Sequence, residues 1–478
     1  MICYIVCSPD YKEAALTGEH LILGINILGG LSMSYIYQKV YKYKRYPHFD
    51  NKVHWRTVKG NVETPEYIIH HAFFPFIHYE QKMTKFPKKF IQKKPEGSKR
   101  DDPKTRQIMY SSHIDRYIYE YYSFLINKKY NIFANNFGIN NCAVAYRTNH
   151  HGKNNIHYAK DAFDFIRKKQ HALIVIGDFT KYFDCIDHRY LKNQLCKVLA
   201  VDSLPEDYYA VFRSITKHSW FELDEIRKYK GLERKEFNKL ERIFTPEEFR
   251  AFKKGRIHTN TNGYGIPQGS AISATFSNIY LIDFDKQIND YVTSRGGFYR
   301  RYCDDFIIVM PWMEDQSNKE SLHCIFQAIK CIPRLDLQPD KTQVYEYDTK
   351  KIINYNKEYL NSDKNQKSII SYLGFTFDGS TVTIRSKTIA KYYERMYKKI
   401  DNINKNNRTS PNGKKIPLRN LYRLYSYKGK AVEKNNKKRG NFLSYVDRAK
   451  IVFGSTEAIE RGTKHAWGKM QKRLKRKK

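Results

Sequence analysis

Residues 298–310, FYRRYCDDFIIVM, constrain the fold more than any other part of the chain. Aromatic and β-branched residues flank Cys303, Asp304 and Asp305 on both sides, which predicts two antiparallel strands joined by a tight turn with adjacent carboxylates at its tip. Two like charges held together between apolar strands repel each other and lose solvation, so the arrangement is unfavourable unless a cation lies beside it. Hard divalent ions take such oxygens as ligands. An Asp-Asp pair alone is equally an ordinary surface turn, so the other stretches decide.

In HALIVIGDFTKYFDCIDHRYL the apolar run 173–176 reads as a buried strand that delivers Asp178 at its C-terminal end. Set beside the 304–305 turn, that strand would gather three carboxylates. Asp184 and Asp187 read as helix-capping or solvated groups. In TNGYGIPQGSAISATFSNIYLIDF, a loop from Gly265 to Gly269 precedes a helix with Ile272, Phe276, Ile279 and Tyr280 facing inward. Its glycines permit close backbone approach, and Gln268 can both donate and accept. In KKPEGSKRDDPKTRQIMY, Lys99 and Arg106 flank a turn-forming Asp101-Asp102-Pro103, and a hairpin there would bring two cations together in a geometry suited to a triphosphate. Arg147 and Lys153, among asparagines, read as either phosphate contacts or a solvated loop. Lys341 falls in a loop before a strand, and Asp378-Gly379 separates two β-rich runs as a hairpin.

Charge points to the partner. Lys and Arg number 86 against 49 Asp and Glu, a net +37, and 39 Tyr and 28 Phe are interleaved with them. Such an excess repels itself unless a polyanion neutralises it, and aromatics offer bases a stacking surface, so nucleic acid is favoured over an anionic membrane. Eight cysteines without CxxC or His pairing point to a reducing, cytoplasmic setting and away from zinc. The uncharged run 21–37 is short and carries Gly24, Asn26, Gly29 and Gly30, so no membrane span is expected. Residues 461–478 hold nine Lys or Arg and no acid, a nucleic-acid-binding or disordered tail.

Taken in order, GDFTKYFDCIDH, GIPQGSAISATFSNIYL, YCDDF, the DKT segment and SYLGF resemble the successive palm motifs of reverse transcriptases, and the Lys99–Arg106 stretch resembles that family's fingers loop. The resemblance implies an α+β, right-hand polymerase fold, with fingers, an antiparallel palm sheet packed on helices, and a helical thumb. The implied divisions are an N-terminal extension at 1–64, fingers at 65–170, palm at 171–370 with a helical insertion at 203–260, a primer-grip hairpin at 371–385, and a basic helical thumb and tail at 386–478. It implies that Asp178, Asp304 and Asp305, with the Phe179 carbonyl, hold two Mg²⁺ ions, for which Mn²⁺ could substitute. Lys99 and Arg106 would grip the incoming dNTP, Phe183 would exclude a 2′-hydroxyl, and Gln268 would lie by the nascent base pair. Lys341 would protonate pyrophosphate, and Tyr372, Leu373, Gly374 and Phe375 would form the primer grip. Ala274 after Ser273 departs from many intron-encoded relatives, which carry proline there.

HHAFFPFIHYE, YSSHIDRYIYEYYSFLI, VAYR followed by GKNN, and GNFLSYVDRAK are similar to the bacterial defence-associated and abortive-infection reverse transcriptases. That similarity implies cDNA synthesis on a partner non-coding RNA during anti-phage defence, with a possible homo-oligomer. The alternatives are untemplated or protein-primed DNA synthesis, or a retron or group II intron type of enzyme.

Overall fold

The computed structural model describes residues 43–83 and 104–475, apart from residues 151, 365, 406–408, 410–412, 414, 431, 435–436 and 455. Lys99 and the run 21–37 lie outside the described residues. Within them, no helix is long and apolar enough to cross a membrane.

In chain order the strands are β1 (Phe76–Met83), β2 (Lys104–Tyr110), β3 (His171–Asp178), β4 (Ser219–Glu222), β5 (His258–Thr259), β6 (Phe298–Tyr302), β7 (Asp305–Pro311), β8 (Gln343–Asp348), β9 (Lys351–Asn354), β10 (Ile370–Tyr372), β11 (Phe375–Phe377) and β12 (Val382–Ile384). The helices that matter most are α1 (His113–Asn136), α2 (Asn155–Lys169), α3 (His188–Leu199), α4 (Ala271–Tyr280), α5 (Ile282–Thr293), α6 (Ser386–Lys405) and α7 (Phe442–Phe453). Local chemistry sets several of their starts. The Ser112 side chain accepts from Asp115 N ahead of α1, Asn154 forms a capping box at α2, and Asp187 accepts from Tyr190 N ahead of α3.

At the centre is an antiparallel five-stranded sheet in the order β6-β7-β3-β8-β9. Successive side chains of a strand point to opposite faces, so β3 serves two cores at once. Leu173 and Val175 pack with Phe306, Ile308 and Val344 against α1, α4 and α5. Ala172, Ile174 and Ile176 pack with Ile307 and Val309 against α2, the β10-β11-β12 meander and α7. Burial on both faces explains why this strand reads as a continuous apolar run.

Two sequence expectations change. The insertion at 203–260 is not purely helical, because β4 and β5 join β1 and β2 in a second sheet of order β2-β1-β4-β5, with β4 parallel to β1. That pairing is supplied by a distant partner, which the local, helix-like charge pattern does not reveal. Residues 43–64 are also no separate extension. Phe49 packs on Phe244 and Phe249, while Trp55, Val58 and Val62 share the core of α1.

The C-terminal part is mainly helical, with one small hairpin of Val432–Lys434 and Lys437–Arg439. On α6 a stripe at helical spacing, Tyr393, Met396, Ile400 and Ile403, is buried and packs with Leu421, Leu443 and Met470.

Candidate active site

Asp178 is the last residue of β3, and the register sets it directly opposite Asp305, the first residue of β7. Asp304 occupies the turn between β6 and β7. Carboxylate oxygens of the three residues lie within 4.8 Å of one another. Gly177 makes the approach possible, since a Cβ there would fall 2.2 Å from the Phe306 ring.

The turn is held from beneath. Cys303 is buried and adopts φ +62°, a left-handed conformation that costs a non-glycine residue energy and so needs support from its surroundings. Arg301 Nη1 supplies that support by donating to the Cys303 carbonyl at 2.9 Å. The Arg301 guanidinium is itself fully buried and paired with the equally buried Asp285, Nε to Oδ1 at 2.8 Å and Nη2 to Oδ2 at 2.5 Å. Tyr299 OH donates to Asp285 Oδ1 at 2.7 Å, and Arg301 also donates to the Asn278 carbonyl. The charge-assisted bonds and neutral partners compensate the burial of both ions.

The three site acids have no such compensation. Loss of water around the Asp304 carboxyl, followed by the Asp178 charge, raises its pKa. Asp305 is exposed along its length, yet its carboxyl is crowded. Its pKa is pushed up to about 8 by lost hydration, then by a hydrogen bond with Asp178 and by the charge of Asp304. Lys341 Nζ donates to Asp178 Oδ2 as the one cation paired with the triad among the described residues. An all-oxygen donor set in which like charges raise one another's pKa fits a hard divalent cation, which would relieve that repulsion.

The loop that carries Lys341 is tied to the chain just beyond β3. Gln338 N donates to the Asp178 carbonyl at 2.7 Å and Thr180 N to the Asp336 carbonyl at 2.9 Å. These bonds form the bridge between Phe179 and Leu337 without using the Phe179 carbonyl.

The Gly265–Gly269 loop lies against β2. Met109 N donates to the Gln268 carbonyl at 2.9 Å, and Gly269, at φ +128°, approaches so closely that a Cβ would fall 2.3 Å from the Met109 carbonyl oxygen. The same loop reaches half-buried Phe183, whose carbonyl accepts from Ile266 N. Arg106 is exposed on β2 opposite Gln81, while its proposed partner Lys99 lies outside the described residues. Tyr372, Leu373, Gly374 and Phe375 form the β10–β11 turn, with Leu373 at φ +47° and Gly374 at φ +91°. Asn155 on α2 donates to the Leu373 carbonyl and to Tyr445 OH on α7, which fixes that turn to both helices. The Tyr372 hydroxyl is buried and has no hydrogen-bond partner among the described residues.

Arg147 is neither of the things its sequence suggests. Its guanidinium is spent on Asn131 Oδ1, Asn140 Oδ1 and the Asn140 carbonyl, a tie that shapes the loop after α1. The Asp285–Arg301 pair was not singled out from sequence. Its signal is the adjacent charges of Arg300 and Arg301 inside an otherwise aromatic strand, of which at least one must face the core and demand a buried acid.

The antiparallel sheet thus brings three carboxylates to one rim, with Lys341 paired to one of them. A family profile described as reverse transcriptase (RNA-dependent DNA polymerase) matches residues 139–377, half of the chain, and the chain belongs to that family. Comparison with curated protein sequences gives no match. Among solved structures, apo telomerase from Candida tropicalis truncated from its C-terminal domain is similar at 12% identity, over 60% of this chain and 53% of that one, with a TM-score of 0.39. Telomerase from Candida albicans in complex with a TWJ fragment of telomeric RNA matches at 11% identity over 84% of this chain and 57% of its own, with a TM-score of 0.35. The chain spans a little over half the length of these two structures.

Proposed function

We propose that this chain is an RNA-directed DNA polymerase that joins deoxynucleotides by metal-assisted nucleotidyl transfer. The observation that carries the proposal is the cross-strand pairing of Asp178 with Asp305, with Asp304 beside them. These three carboxylates, helped by the Phe179 carbonyl, would hold two Mg²⁺ ions, or Mn²⁺ in their place. When bound, such ions lower the pKa of a primer 3′-hydroxyl and stabilise the charge on the departing pyrophosphate. The chain's own groups do the rest. Lys341, paired with Asp178, would deliver a proton to pyrophosphate. Arg106, with Lys99, adds positive charge where the triphosphate lies. Phe183, next to the glycine-rich loop, would close the space that a ribose 2′-hydroxyl needs, and Gln268 would border the new base pair.

In this reading the five-stranded sheet is the palm, the β2-β1-β4-β5 sheet belongs to the fingers, and residues 386–475 form the thumb. The β10–β11 turn is the primer grip, braced by Asn155. The template is RNA, by resemblance a non-coding RNA, and the role is anti-phage defence; the four sequence stretches similar to defence-associated enzymes support this. Protein-primed or untemplated synthesis remains the rival within the same chemistry.

Primer extension on an RNA template with dNTPs and Mg²⁺ tests the activity. Incorporation that survives Asp304→Ala with Asp305→Ala would sink the proposal. Sequencing the DNA made in phage-infected cells, and analysing its 5′ linkage, tests the finer reading. A copy of one RNA supports it, whereas random sequence or a tyrosine–DNA bond favours the rival.

A further inference from the structure

A pocket of about 580 Å³ lies in the C-terminal helical part, remote in sequence from the three acids. Its floor is aromatic: the ring of buried Tyr392 on α6 sits 4.9 Å from that of Phe442 and 5.9 Å from that of Tyr425. The floor is rigid, because Tyr392 OH donates to the Tyr425 carbonyl at 2.6 Å. Its rim carries Lys391 and Arg395, one helical turn apart on α6, and Arg423 from the short helix Arg419–Tyr425. All three cations are exposed, none has a carboxylate partner among the described residues, and no acid lines the pocket.

Three other cations on this part of the chain have carboxylate partners, Lys430 with Asp447, Lys450 with Glu460 and Arg473 with Asp401. Three unpaired cations around one cavity repel each other and are relieved by an anion. The aromatic floor narrows the class of anion. An inorganic phosphate would leave it uncovered, and a base-paired duplex presents its backbone with the base faces already stacked. A single unpaired nucleotide offers both parts at once, a phosphate for the rim and a π-face for the floor.

We propose that this pocket takes an unpaired nucleotide of the RNA strand, phosphate at Lys391, Arg395 and Arg423 and base over Tyr392 and Phe442, and so anchors single-stranded RNA away from the polymerising site. Asn441, which also borders the pocket, has its amide committed to the Arg423 and Ser426 carbonyls and its oxygen to the start of α7, so it is not free to read a base edge. Recognition is therefore by charge and stacking, with little sequence preference. The proposal rests on the polymerase reading only for the choice of RNA over DNA.

The test is equilibrium binding of a fluorescent single-stranded RNA of about ten nucleotides to the full chain. It is run in an Asp304→Asn, Asp305→Asn background so that loss of catalysis cannot influence it. Lys391→Ala with Arg395→Ala and Arg423→Ala is expected to weaken binding about tenfold or more and to reduce the salt slope by about 0.7, the value for one neutralised phosphate of a single strand. Binding of a blunt RNA–DNA duplex should change less than about threefold. Phe442→Leu should weaken single-strand binding without altering the salt slope, and matching thermal melts confirm that each variant is folded. Equal loss for duplex and single strand would reassign the cations to ordinary duplex contacts and overturn the proposal. So would no loss at all.

Discussion

Two groups of charged side chains share one end of the five-stranded sheet, and they follow opposite rules. The Asp285–Arg301 pair is fully buried, opposite in sign and hydrogen-bonded to Tyr299, to the Asn278 carbonyl and to the Cys303 carbonyl. The triad of Asp178, Asp304 and Asp305 is alike in sign, opens toward solvent at Asp305 and, among the described residues, has only Lys341 paired with it. The first group is finished by the protein itself, whereas the second is left for a ligand to complete. Satisfied charge beneath unsatisfied charge is how the fold can afford a crowded acidic turn.

The sharpest way to break this contrast is to neutralise the unfinished group. Asp304→Asn with Asp305→Asn should lower nucleotide incorporation by roughly a thousandfold or more, the rate equivalent of several kcal/mol of lost metal assistance. The same change should leave the thermal midpoint of the metal-free protein unchanged or higher, because repulsion is removed. A large drop in midpoint would show that the triad is structural.

Breaking the finished group should do the reverse. Arg301→Met strands a buried Asp285 and should destabilise the fold by about 3–5 kcal/mol in urea denaturation. Adding Asp285→Leu should restore much of that stability. Activity should not return with it, since the Cys303 carbonyl still lacks its donor. Full recovery of activity in the double variant would mean that the turn needs no support.

A smaller effect is expected between the groups. Gly177→Ala places a methyl within the Phe306 ring and should cost about 1–3 kcal/mol, with loss of activity beyond what the change in melting accounts for.

The mildest test is pH. The Asp305 pKa, raised to about 8 in the folded protein from an ordinary 3.8, means that the folded state holds a proton that the unfolded state has released. Stability of the metal-free protein should therefore decline as pH rises toward 8. His48, pushed down to about 3 by burial, and His218, pushed down to about 4 by burial, act oppositely, since their stabilisation is lost as pH falls below about 6.5. Between pH 6.5 and 8 the Asp305 effect should dominate, and Asp305→Asn or added Mg²⁺ should flatten the slope.

Much of the site is legible in the sequence because its parts are local. A strand that ends in Asp178, a turn that carries Asp304 and Asp305, and a glycine-rich loop each declare themselves within a dozen residues. Their convergence follows from β3 and β7 being buried apolar strands that pair naturally in one sheet. What escapes is non-local. Nothing near Ser219–Glu222 announces a parallel partner at Phe76, and nothing near Asp285 announces Arg301 except the improbability of two adjacent arginines in a core strand. Arg147 shows the opposite error, a cation suggestive of phosphate whose donors go to neighbouring asparagines.

The division of β3 between two cores has a mechanical consequence. Ile174 and Val175 are neighbours in the chain, yet trimming the first loosens the layer toward α2, the meander and α7, and trimming the second loosens the layer toward α1, α4 and α5. Either disturbance reaches Asp178 through only a few peptide bonds. The strand is thus a party wall, through which two otherwise separate halves of the molecule can each shift the position of the same carboxylate.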